Sequence, residues 1–159
     1  MRNVIVNTSP LIVFNDLGKL DLLKNLYGQV IIPHAVYEEL TAKSSEHLIS
    51  FEAFPWIKVT RIQNELAKKF FETQLHAEEV EVMILAKEQS ADLVIIDDAN
   101  AKKHAKRLGI TTTGTLGVLI KAKNEGFIDN LQPLIEEMQF NGFYISKSIV
   151  DACLRLAGE

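Results

Sequence analysis

The chain is expected to fold as a three-layer α/β/α domain with a central, mostly parallel sheet. Three observations lead there. Short β-branched runs alternate with amphipathic stretches along the sequence, the pattern of strand–helix–strand units. One run, Leu93-Val94-Ile95-Ile96, has no polar residue at any position, as a central parallel strand covered on both faces requires. No Gly/Ser- or Pro-rich stretch divides the 159 residues and no repeat recurs at a fixed period, so residues 1–159 read as a single domain. Right-handed crossovers leave few topologies open to such a chain.

The elements follow in order. Val4-Ile5-Val6 is the first strand, and Ser9-Pro10 reads as an N-cap followed by proline at the first helical position. Leu20 to Tyr27 is a second short helix closed by Gly28. Val30-Ile31-Ile32 is the next strand, and Pro33 opens a helix to about Leu40. Thr41 to Ser50 is polar, a loop passing into a short helix, and Ile57-Lys58-Val59 alternates as an edge strand does. Helices are expected over Glu65 to Thr73 and Ala77 to Gln89, the second apolar on most sides and so buried between layers. After the central strand come a helix from Ala99 to Leu108, stopped by Gly109, and a strand at Ile110-Thr111-Thr112. Leu116 to Glu125, Leu131 to Asn141 and Ser148 to Leu156 are the last helices, the first two stopped by Gly126 and Gly142.

Composition removes several classes of protein. Apolar residues are 47% and charged residues 24%, values of a globular domain rather than a disordered chain or coiled coil. No apolar run approaches the roughly 18–20 residues of a membrane span, and Met1-Arg2-Asn3-Val4-Ile5-Val6-Asn7 is too short for a signal-peptide core. A single cysteine, Cys153, excludes an internal disulfide and a multi-cysteine zinc site, and its amphipathic helix makes it a core thiol. The chain therefore reads as soluble and cytoplasmic, without membrane association. With 17 Lys+Arg against 21 Asp+Glu the net charge is −4, so any nucleic-acid binding must use a local basic patch.

Open parallel sheets place their sites at the carboxyl ends of strands. Asn7 falls at one such end and the pair Asp97-Asp98 at another, with Glu38-Glu39 and Glu78-Glu79-Glu81 on helices nearby in the pattern. Several carboxylates share a small volume only with a cation between them. Mg²⁺ or Mn²⁺ suits such oxygen ligands, activates water and supports in-line phosphoryl displacement. Structural roles stand beside these. Asp98 is also placed to cap the following helix, Glu78, Glu79 and Glu81 complement a helix dipole, and Glu38 fits a solvated face. Lys102, Lys103, His104, Lys106 and Arg107 form a basic cluster on the helix after Asp97-Asp98, with 102/106 and 103/107 sharing faces. It reads either as a phosphate-contacting patch or as a solvated face near a helix C-terminus. Dinucleotide and nucleoside-triphosphate loops are absent. Gly114-Thr115-Leu116-Gly117 reads as a strand-to-helix turn capped by Thr115, and His34, His47, His76 and His104 show no zinc-like pairing.

These residues also carry a resemblance. Asn7-Thr8-Ser9-Pro10-Leu11-Ile12, Pro33-x-x-Val36-x-Glu38-Glu39-Leu40, Glu79-x-Glu81, Leu93-Val94-Ile95-Ile96-Asp97-Asp98 and Gly114-Thr115-Leu116-Gly117-Val118-Leu119 occur in the order seen in PIN-domain proteins. The chain most resembles the DUF3368 subgroup, related to VapC-type toxins, over nearly its whole length. The resemblance implies an α/β/α nuclease fold, Mg²⁺- or Mn²⁺-dependent cleavage of RNA, a homodimer, and a small antitoxin protein as partner. Carried over by position, the catalytic set is Asn7, Glu39, Glu79 and Asp97, with Glu81 the alternative to Glu79. Glu39, Glu79, Asp97 and Asp98 are the implied metal ligands. Lys102, Lys103, Lys106 and Arg107, with Thr8 and Ser9, are the implied nucleic-acid contacts. PIN nucleases usually carry aspartate where this chain has Asn7, whose amide oxygen ligates a metal without adding charge. A second reading follows from that departure: a catalytically weakened PIN fold that binds RNA or protein.

Overall fold

The computed structural model describes residues 2–71 and 74–159. Among them five strands pair in parallel: β1 (Val4–Val6), β2 (Val30–Pro33), β3 (Ile57–Thr60), β4 (Leu93–Ile95) and β5 (Thr112–Thr113). Their order across the sheet is β3-β2-β1-β4-β5. The helices flanking it are α1 (Thr8–Asp16), α2 (Asp21–Tyr27), α3 (His34–Thr41), α4 (Ala77–Glu88), α5 (Ala99–Arg107), α6 (Thr115–Asn124), α7 (Gln132–Phe140) and α8 (Lys147–Leu156).

The core forms where the β-branched runs required it. Every residue of β1, β2 and β4 is buried, and α4 buries eight consecutive residues from Glu79 to Ala86. β3 lies at the edge, as its alternation predicted, but Val59 is exposed beside Lys58 instead of alternating inward. Gly126 (φ +83°) and Gly142 (φ +97°) follow α6 and α7 in the left-handed region that a side chain would strain. Cys153 is buried on α8.

Several boundaries shift by a residue or so from the sequence expectation, and four differences have a plain physical reason. β5 sits at Thr112–Thr113 rather than from Ile110, because the Ile110 N–H is spent on the Ala105 carbonyl (2.9 Å), closing α5. Glu65–Phe70 is a 3-10 turn rather than an α-helix, capped by Asn64, whose Oδ1 accepts from Ala67 N–H (3.2 Å). None of its side chains is fully buried, so packing gives an α-helix no support there; Thr73 lies outside the described residues. α1 begins at Thr8, with Asn7 in the cap position and Pro10 at the third helical position. The reason is that Asn7 N–H still bonds the Ile95 carbonyl of β4 (3.0 Å), so the chain leaves the sheet only at Asn7. Thr115 is the first residue of α6 rather than its cap, and Gly114 takes the cap position.

Glu159 ties the last helices together. Its carboxylate accepts from Leu131 N–H (2.6 Å) and Gln132 N–H (3.3 Å) at the start of α7, and pairs with Lys123 of α6 (3.0 Å). The Leu131 hydrogen bond first, then the Lys123 ammonium, hold this carboxyl below its ordinary range. A carboxyl with a depressed folded-state pKa stabilises above its unfolded pKa and loses that contribution as pH falls through the folded value. Glu159→Gln is therefore expected to lower Tm at neutral pH, with the gap from wild type closing as the pH drops below 4, read by thermal melts at stepped pH.

The sheet order also fixes where a site belongs. From β1 to β3 the chain steps one way across the sheet, and from β4 to β5 it steps the other. The switch point lies between β1 and β4, whose carboxyl ends carry Asn7 and Asp97.

Candidate nucleic-acid and metal site

Asn7 ends β1 with its side chain buried (4% exposed), and its Oδ1 has no hydrogen-bond partner among the described residues. A buried acceptor in that condition costs about 1–3 kcal/mol unless something donates to it or coordinates it. Thr8, the next residue, is also buried and donates its hydroxyl to Glu39 Oε2 (2.9 Å). This bond joins α1 to α3 and turns the exposed Glu39 toward the end of β1. Ser9 is exposed on the next helical position.

Asp97 follows β4, half-buried, and is fixed at both oxygens. Oδ1 accepts from Thr115 N–H (2.8 Å) and Oδ2 from the Thr115 hydroxyl (2.7 Å). The fully buried Thr115 thereby locks the carboxylate plane at the switch point. Gly114 is needed beside it, because a Cβ there would lie 2.8 Å from Asp97 Oδ1 and 3.1 Å from Lys102 Nζ. Lys102 thus leans over the strand end, whereas Lys103, Lys106 and Arg107 project from α5 as exposed cations. Among the described residues none of these four makes an ion pair. Asp98 caps α5, its Oδ2 accepting from Ala101 N–H (2.9 Å).

Glu79 and Glu81 separate cleanly. Glu79 is buried (4% exposed) in the first turn of α4 and accepts from His76 N–H (3.1 Å). Burial pushes its carboxyl up, the His76 N–H opposes this, and the charge of Asp98 adds to the rise. Glu81 is held elsewhere, by Ala35 N–H at the start of α3 (3.1 Å) and Lys68 Nζ (3.1 Å).

Beside Asp97 and Asp98 opens a cleft of about 430 Å³ whose lining includes Ser9, Ile12, Val13, Asp16, His47, Met138 and Phe143. The sequence marks none of the last six as site residues, because α1, the loop carrying His47 and the end of α7 meet only in the fold. From sequence Thr115 is expected only as a cap. Its one sequence signal was a Gly-Thr pair just after a strand.

The oxygens here fit a hard divalent ion held openly. Mg²⁺ binds through one or two carboxylates and keeps several waters. The unpartnered Asn7 oxygen, the fixed Asp97 carboxylate and the buried Glu79 carboxyl are donors of that kind. Among the described residues no three His, Cys, Asp or Glu side chains close into a cage.

Comparison with known proteins agrees with this architecture. No curated protein matches the chain. The family model DUF3368, described as a PIN domain, matches residues 3–159, and PIN domains are generally divalent-metal-dependent nucleases. A match of that extent, with a parallel five-stranded sheet and an acid following β4, the strand beside its centre, shows that the chain belongs to the DUF3368 family of PIN domains.

Proposed function

We propose that the chain is a single-domain, Mg²⁺- or Mn²⁺-dependent endoribonuclease of the toxin–antitoxin type. The observation that carries this reading is the unpartnered, buried Asn7 oxygen at the switch point, beside an Asp97 carboxylate held rigid by Thr115. Glu39, Glu79 and Asp97, with Asp98 alongside, would draw together to hold the metal, since no three of them form a closed group in its absence, and Asn7 would contribute a neutral oxygen. When bound, the cation supplies an activated water and charge stabilisation for phosphoryl displacement. Thr8 orients Glu39, Thr115 orients Asp97, and Ser9 and Lys102 flank the position of the reacting phosphate. Lys103, Lys106 and Arg107 extend a cationic track along α5 for neighbouring phosphates. Incubation of single-stranded RNA with the purified chain tests the reading: cleavage with Mn²⁺ and none with EDTA is expected, and no cleavage under either condition refutes it.

Charge reversal at Lys103 and Arg107 together is expected to weaken RNA binding and to flatten its salt dependence by about one phosphate contact per lost cation. Binding isotherms over a salt series check this. An unchanged slope would make the cluster a solvated face.

Partners follow from the family resemblance: RNA, a second copy of the chain, and a small antitoxin protein. Exposed Phe140, Tyr144, Ile149 and Leu156 around α7 and α8 offer apolar surface for a protein partner. No helix among the described residues is long and apolar enough to cross a membrane; the cytoplasmic setting is part of the proposal.

The second reading, a PIN fold that binds RNA or protein without cleaving, is favoured by the neutral Asn7 and the lack of a closed carboxylate group among the described residues. A thermal shift separates the two. An intact metal site stabilises by about 2.7 kcal/mol at a hundredfold excess over Kd, and a silent one does not.

A further inference from the structure

The cleft beside Asp97 and Asp98 reaches two side chains that the strand-end chemistry leaves unused. Its volume of about 430 Å³ falls within the roughly 300–1,000 Å³ of small-ligand clefts. Ser9 and Asp16, both in its lining, are about 10 Å apart along α1 at the helical rise. Ser9 stands next to the strand ends, so the cleft runs from the place of the phosphate toward Asp16. Ile12, Val13 and Met138 make the walls between them apolar, and the half-buried ring of Phe143 adds an aromatic face. Such a slot suits a flat base with a polar edge, since unpaired RNA bases stack on aromatic side chains and are read along their Watson–Crick edges.

Asp16 and His47 form the polar end of the cleft. His47 Nδ1 lies 3.9 Å from Asp16 Oδ2, too far for a hydrogen bond, and no side-chain hydrogen bond engages Asp16 among the described residues. Both carboxylate oxygens are therefore free to accept, beside an imidazole that donates a ring N–H. Guanine alone among the four bases offers two adjacent N–H donors, at N1 and N2, next to a carbonyl acceptor at O6. Adenine, cytosine and uracil each turn an acceptor or a C–H toward one of the Asp16 oxygens.

We propose that this cleft binds an unpaired guanine next to the scissile phosphate, read by Asp16 and His47 and stacked on Phe143. The proposal rests on the ribonuclease reading above. It is tested by binding rather than cleavage, in EDTA at low salt, using short labelled single-stranded RNAs. These are all uridine, or uridine with one central guanosine, adenosine or cytidine. The guanosine RNA is expected to bind wild type about tenfold more tightly than the other three. Asp16→Asn should move the preference from guanosine to adenosine and cytidine, because the amide oxygen accepts from N6–H of adenine or N4–H of cytosine while its N–H donates to the adjacent N1 or N3; a merely structural role would weaken all four equally. Phe143→Ala should lose about tenfold on the guanosine RNA without changing the order. Equal affinities for the four RNAs in wild type, or a guanosine preference retained in Asp16→Asn, would overturn the proposal. If folded wild type binds none of them, the RNA-directed reading itself fails and the guanine site with it.

Discussion

Asn7→Asp is expected to raise both divalent-metal affinity and RNA cleavage above wild type, at a cost of about 1–3 kcal/mol in metal-free stability. Asp and Asn are nearly isosteric, so the backbone bond from position 7 to the Ile95 carbonyl should survive. The cost arises because the side chain is buried and unpartnered, with other carboxylates nearby. Burial and like charge raise the new carboxyl's folded-state pKa. A raised pKa means the folded state holds its proton more tightly, so the penalty is absent well below the unfolded value of about 3.9 and grows as pH rises above it. Saturating Mn²⁺ should reverse the sign, because a fuller carboxylate set binds the ion more tightly. Thermal melts with and without Mn²⁺ at two pH values give all of this. Equal metal affinity in wild type and variant would sink the four-residue site.

Asp97→Asn should reduce metal-dependent cleavage by at least on the order of a hundredfold while costing only about 1 kcal/mol of stability. The asymmetry comes from Thr115. An asparagine at 97 still offers one oxygen to the Thr115 N–H, and the rotatable hydroxyl turns to accept from the new amide. The geometry is kept and the charge is lost. Asp97→Ala, in contrast, leaves two buried Thr115 donors unpaired and should destabilise more. Cleavage rates in Mn²⁺ and urea melts in EDTA separate the two effects. A large loss of stability in Asp97→Asn would make that carboxylate chiefly structural. In Asn7→Asp combined with Asp97→Asn, cleavage should be lost again.

Much of the fold was legible because β-branched, all-apolar runs have one good solution in a chain of this size. Val4–Val6 and Leu93–Ile95 lie side by side and fully buried, as their composition demands. The stretch from Glu65 was not legible, because it has helix-forming residues but no buried face, and packing rather than propensity decided its shape. β5 was too short to locate, since two residues give no period to read. At the site, the acid closing β4 could be read from its position. The choice between Glu79 and Glu81 could not. Two residues apart on a helix means about 200° of rotation, so the pair points to opposite sides, and only the neighbours Lys68 and Ala35 reveal which one is otherwise engaged. Thr115 lies too far along the chain from Asp97 for any local pattern to join them. Only the β4–β5 pairing brings them together.

Titration of the wild-type chain with Mn²⁺, followed by paramagnetic broadening of its backbone amide resonances, tests the strand-end site most directly. The signals of Asn7, Thr8, Glu79, Asp97, Asp98 and Thr115 are expected to vanish first, at metal concentrations that leave the Glu65–Lys68–Glu81 network sharp. In Asp97→Asn they should persist to much higher Mn²⁺. Broadening that begins around Glu81, or spreads evenly over the surface acids while the ends of β1 and β4 stay sharp, would contradict a metal site at the switch point.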